Sequence, residues 1–159
     1  MIQRSEVTGN ALIVGYGNPL RGDDGVGQAV ARAFANEAAV DGVDAVACHQ
    51  LTPELAERFA AAARVVLIDA AAGSEAGGVS VIPLRPAPAP SSTLGHHVEP
   101  SQLLRMAQRL YGRSPEAYLV TVGASSLELG EGLSAPVAAA LPEVIATVRR
   151  LALARPASV

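Results

Sequence analysis

The sequence predicts an α/β fold: a three-layer α/β/α sandwich around a twisted, mostly parallel sheet of about five strands. Three observations predict it. Short continuous apolar runs, Ala11-Leu12-Ile13-Val14 and Val65-Val66-Leu67-Ile68, have the pattern of strands covered on both faces. Segments with apolar residues at helical spacing alternate with these runs, which is the signature of helices laid on both sides of a sheet. Clusters of Gly, Pro, Asn and Asp separate the two kinds of segment. The chain of 159 residues fits one domain, long enough to bury a substantial core, with frayed ends expected at 1–10 and 155–159.

The first strand covers residues 11–14 and runs into Gly15-Tyr16-Gly17. Residues 18–25, Asn-Pro-Leu-Arg-Gly-Asp-Asp-Gly, are turn formers and read as a loop. Val26, Val30 and Phe34 then recur every fourth residue with Ala29 and Ala33 beside them, so a helix follows. Asp23 or Asp24 is placed to cap it, since a carboxylate there accepts from unpaired backbone N–H groups. Val43–Cys48 reads as a second strand. Thr52 as cap, Pro53 at the first turn and Leu55, Phe59 and Ala62 on one face predict the next helix. Asp69 stands at the end of the 65–68 strand. Val79–Leu84 reads as a shorter strand, at a sheet edge given the prolines after it. Residues 85–94 are rich in Pro and Ser and read as a surface loop. Leu103, Leu104, Ala107, Leu110 and Tyr111 form the apolar face of a helix ended by Gly112. Residues 118–122 give the last strand. Val137, Leu141, Val144, Val148 and Leu151 stripe the last helix.

Composition narrows the function. Half the residues are apolar, the formal charge is −3, and no Lys/Arg cluster occurs, so binding to nucleic acid through phosphate neutralisation is not expected. Cys48 is the single cysteine, which rules out an internal disulfide and fits a reducing compartment. Its apolar neighbours mark it as a buried structural residue rather than a catalytic thiol. No apolar stretch reaches the ~20 residues of a membrane span, and residues 1–10 lack a signal-peptide apolar core. A cytoplasmic protein without membrane association is expected.

In open α/β sheets, ligands bind beyond the carboxyl ends of the strands. Three polar clusters fall at such positions: Gly22-Asp23-Asp24-Gly25, Asp69, and His96-His97 ahead of a helix. Carboxylates with an imidazole suit a divalent transition metal. Each also has a plainer reading, as a helix cap for Asp23 and Asp24 and as solvated loop residues for the histidines. Asp69, ending an apolar strand, is expected to be partly desolvated and in need of a partner. His49, next to Cys48, reads as structural or exposed. Gly15-x-Gly17 imitates the start of a dinucleotide fingerprint, but Leu20 occupies the third glycine position. Two adjacent carboxylates also stand where a pyrophosphate needs donors.

Taken together the segments resemble the [NiFe]-hydrogenase maturation proteases. Residues 13–27, Ile-Val-Gly-Tyr-Gly-Asn-Pro-Leu-Arg-Gly-Asp-Asp-Gly-Val-Gly, are similar to that family's opening motif. Val66-Leu67-Ile68-Asp69-Ala70 looks like its second motif, and His96 with Val98 and the apolar helix beyond looks like its third. Thr121-Val122-Gly123-Ala124 is similar to its last strand and loop. The resemblance implies a monomeric endopeptidase that removes the C-terminal extension of the hydrogenase large-subunit precursor after nickel insertion. It implies Asp24, Asp69 and His96 as the residues that contact Ni2+ and carry the reaction, with the nickel supplied by the precursor. His97 offers the alternative register. Asp23 is then a cap or a supporting group, and Gly22, Gly25 and Gly27 leave room for a substrate backbone. Two other classes compete: a non-enzymatic metal- or nucleotide-binding module on the same fold, and a small-molecule metallohydrolase.

Overall fold

The computed structural model describes residues 9–37, 42–91 and 98–154. Five strands form one sheet: β1 (Ala11–Tyr16), β2 (Val43–Cys48), β3 (Arg64–Ala71), β4 (Val79–Leu84) and β5 (Glu116–Gly123). Four α-helices accompany them: α1 (Val26–Asn36), α2 (Leu55–Ala61), α3 (Pro100–Tyr111) and α4 (Ala135–Leu153). The strand order is β2-β1-β3-β5-β4, parallel throughout except for β4, which lies antiparallel on the β5 edge.

The period-two alternation of strands divides the core into two layers. Val66 and Ile68 of β3 face the layer that holds Val26, Val30 and Phe34 of α1 and Val137, Val144 and Val148 of α4. Val65 and Leu67 face the other layer, with Phe59 of α2 and Leu103 and Leu104 of α3. All four of these β3 side chains are fully buried, which is why the run carries no polar residue until Asp69.

Several local expectations are corrected. β3 does not stop at Ile68: Asp69, Ala70 and Ala71 pair with Thr121, Val122 and Gly123, so the ladder carries the aspartate beyond the apolar run. Thr52 does not cap α2. Its carbonyl accepts from Leu55 N–H at 3.1 Å to close a turn, and the helix begins two residues later than the Thr-Pro signal implied. Leu110 does not belong to the buried face of α3. It is 56% exposed, because the contact with the sheet and α2 is made by Leu103, Leu104 and Ala107. Cys48 is half-buried rather than buried, and that burial raises its thiol pKa. Among the described residues, no helix is long and apolar enough to cross a membrane.

Candidate active site

The chain leaves β1 for β2 on one side and returns to β3 on the other. The carboxyl ends of β1 and β3 therefore border the crevice where α/β sheets bind ligands. Parallel pairing sets Gly15 opposite Ile68, so Tyr16 and Asp69 follow as neighbours on the face covered by α2 and α3.

Asp24 reaches the same crevice from above. A 3-10 turn, Gly22–Gly25, leads into α1, and α1 lies backbone to backbone against the sheet. A Cβ on Gly15 would come within 1.8 Å of the Gly27 carbonyl oxygen, and one on Gly27 within 2.5 Å of that of Ile68. Gly17, at φ +137, faces the Asp24 carbonyl just as tightly. Gly22 and Gly25 face Ser126 and Pro19. The motif glycines thus let the chain pack on itself. They do not open a path for a substrate backbone, contrary to the expectation from sequence. Gln28, buried in α1, donates to the Gly17 carbonyl at 2.8 Å and steadies the turn.

The resulting cavity, about 460 Å³, is lined by Tyr16, Gly17, Asn18, Asp24, His49, Gln50, Leu51, Asp69, Val98, Glu99 and Pro100. Asp24 accepts from Asn18 N–H at 2.7 Å through Oδ2. The Asp69 carboxyl is pushed up to about 6, chiefly by burial, with the charges of Asp24 and Glu99 acting in the same direction. Ala70 N–H and the Tyr16 hydroxyl, both donating to it, act in opposition. The Tyr16 hydroxyl pKa is raised by its own burial and by Asp69. No Lys or Arg lines the cavity, so its carboxylates face one another with no cation among the described residues to neutralise them.

Asp23, buried at 1% exposure, turns the opposite way. Neither it nor Asp24 caps α1, which has no side-chain cap. Its carboxylate accepts from Ser125 N–H (2.8 Å), Ser126 N–H (3.0 Å), Ser134 N–H (2.7 Å) and the Ser134 hydroxyl (2.8 Å). Burial alone would raise its pKa; these four bonds outweigh burial and hold it below the usual carboxylate value. Asp23 ties the first motif to the loop between β5 and α4.

Two of the three residues expected in the site thus meet at one cavity. His96 and the competing His97 lie outside the described residues, which end at Ser91 and resume at Val98 on the cavity wall. Among the described residues, no three His, Cys, Asp or Glu side chains are grouped to hold a metal ion. Sequence reasoning missed Tyr16, Glu99 and the lining role of the exposed His49. The available signal was positional: Tyr16 ends β1 beside Asp69, and Glu99 immediately precedes a proline-started helix at the same rim.

No protein-family model and no curated protein matches the chain. Solved structures do. The fold is that of the hydrogenase maturation endopeptidases. The hydrogenase-maturating endopeptidase HybD from E. coli is 22% identical, with a TM-score of 0.69 over 87% of this chain and 89% of that one. The hydrogenase 2 maturation peptidase from a Thaumarchaeota archaeon is 26% identical, with a TM-score of 0.66 over 87% and 95%. The [NiFe] hydrogenase maturation protease HycI from Thermococcus kodakarensis is 20% identical, with a TM-score of 0.71 over 90% and 92%. The fold is thus shared with solved hydrogenase maturation peptidases, the proteins whose motifs the sequence resembles.

Proposed function

We propose that this protein is an endopeptidase that removes the C-terminal extension of a [NiFe]-hydrogenase large-subunit precursor, recognising nickel already bound there. The observation that carries the reading is the meeting of Asp24 and Asp69 on one cavity at the β1/β3 crevice, with no basic side chain in its lining. Such a donor set suits a divalent cation, which relieves the repulsion that adds to burial in raising the Asp69 pKa. The solved maturation peptidases of the same fold support it.

In this reading Asp24, Asp69 and His96 contact the nickel held by the precursor, which polarises the scissile carbonyl or its attacking water. The protein's own part is to align that carbonyl and to move a proton. A carboxylate in contact with the cation keeps a second oxygen that can accept a proton. Asp69 takes the proton of the attacking water as the C–O bond forms and returns it to the amide nitrogen as the C–N bond breaks. Tyr16 orients that carboxylate.

Incubation with nickel-loaded precursor, followed by mass spectrometry of the precursor's C-terminus, tests the reading. The wild type should yield a shortened chain, and Asp24→Ala, Asp69→Ala and His96→Ala should each leave it intact while remaining folded. Normal processing by any two of these variants removes the proposal. An intact precursor with the wild type would favour the non-enzymatic binding module. Activity in His96→Ala with loss in His97→Ala would move the third role to His97.

A further inference from the structure

Leu20, in the first motif, is 52% exposed, and Leu129, in the loop after β5, is 83% exposed. Both sit on a braced frame. Gly130 N–H donates to the Leu20 carbonyl at 2.8 Å, Gly22 N–H to the Gly130 carbonyl at 2.9 Å, and Asp23 N–H to the Ser126 carbonyl at 2.9 Å. A parallel bridge between Arg21 and Gly130 brings Leu20 alongside Leu129 in register. The four bonds accepted by the Asp23 carboxylate fix the same two loops from beneath. Ordering a loop costs conformational entropy, and a leucine left in water returns no burial energy to offset it. The frame also abuts the cavity. Leu20 N–H donates at 3.0 Å to Oδ1 of Asn18, which lines the cavity wall. Glu128 and Glu131, both exposed, flank Leu129.

We infer that Leu20 and Leu129 form a docking surface for the folded body of the precursor, separate from the cavity that takes its scissile segment. The partner surface it fits is an apolar patch with basic groups to meet Glu128 and Glu131 and an acidic group to meet the exposed Arg21. This rests on the function proposed above. One observation favours the precursor as the occupant. Asn18 lines the cavity and its side chain accepts from Leu20 N–H, so a protein whose tail lies in the cavity has this surface at the rim beside it.

Steady-state cleavage of nickel-loaded precursor by the wild type, Leu20→Ser, Leu129→Ser and the double variant tests the inference. The expected result is a split: KM rises about ten-fold or more in the double variant, since two apolar side chains no longer bury against the partner, while kcat holds. Leu110→Ser, at an exposed leucine on α3, serves as control and should keep the wild-type KM. An unchanged KM in the double variant overturns the docking surface and leaves the peptidase standing. An equal rise in Leu110→Ser also overturns it. So does a wild-type dimer, seen by sedimentation, that the double variant dissociates without a change in KM. Absence of any cleavage by the wild type removes the peptidase reading itself, and the docking surface with it.

Discussion

Asp23 and Asp24 are consecutive residues in one 3-10 turn, and they work in opposite surroundings. Asp23 is buried and fully engaged by Ser125, Ser126 and Ser134; its carboxylate is stabilised and its pKa falls. Asp24 accepts one bond from Asn18 and turns to a cavity where it raises the pKa of Asp69. A carboxylate whose lone pairs are filled by backbone N–H groups belongs to the scaffold. A carboxylate left facing another carboxylate is poised for something brought in from outside. One turn supplies both, so the loop that builds the site also clamps it to the loop between β5 and α4.

The comparison is tested most severely at Asp23. Asp23→Ala leaves the N–H groups of half-buried Ser134 and of exposed Ser125 and Ser126 without this acceptor, and water can reach the latter two. A loss of about 2 kcal/mol in denaturant unfolding is expected, above that of Asp24→Ala. The pH dependence gives an independent check. Because the native pKa of Asp23 lies below its ordinary value of 3.8, its contribution is complete above about pH 4 and is lost as pH falls through the native pKa. The stability gap between wild type and Asp23→Ala should narrow below that point. A gap that stays constant down to acid pH would mean the carboxylate charge plays no part in the clamp.

Much of the fold was legible because it depends on local pattern: the apolar runs of β1 and β3 and the helical stripes of α1 and α4 need no knowledge of partners. Asp69 was legible as a desolvated carboxylate because a polar residue at the end of such a run has few other places to go. The role of Asp23 was not. Capping is a local habit of Asp before a helix, whereas the donors it actually meets lie more than a hundred positions later, and no local periodicity announces them. The same holds for Gly15 and Gly27, whose close approach is a property of a helix–sheet contact rather than of a loop. Tyr16 went unnoticed because only the β1/β3 register sets it beside Asp69.

Asp69 offers the opposite test. Its carboxyl is raised from 3.8 to about 6, so between those values the native state holds a proton that the unfolded chain has released. Ionisation of Asp69 therefore costs the native state stability as pH rises from about 4 to 6, and the deficit persists above. Asp69→Asn removes it. After allowance for partial solvent screening, a gain of about 1 kcal/mol at neutral pH is expected, vanishing below about pH 4. Thermal unfolding across that range reads it directly. Asp69→Asn should melt higher than wild type while failing to process precursor, which is the trade expected of a group held for chemistry. A variant less stable than wild type at neutral pH would mean that Asp69 is satisfied like Asp23.

The finest distinction concerns Tyr16, whose hydroxyl donates to Asp69. A bond to the charged form lowers the pKa, so removing it must raise the pKa. Tyr16→Phe keeps the ring that packs in the α2/α3 layer and deletes the donor alone. The Asp69 carboxyl should then titrate above its present value of about 6, by a fraction of a unit, as followed by carbon-13 chemical shifts of the side-chain carboxyl. Asp23 is the internal reference in the same spectra. It is held by the loop after β5, so its own titration should stay where it is. Movement of both carboxyls together would show that Tyr16 supports the loops as a unit, and the boundary drawn between clamp and cavity would have to be redrawn.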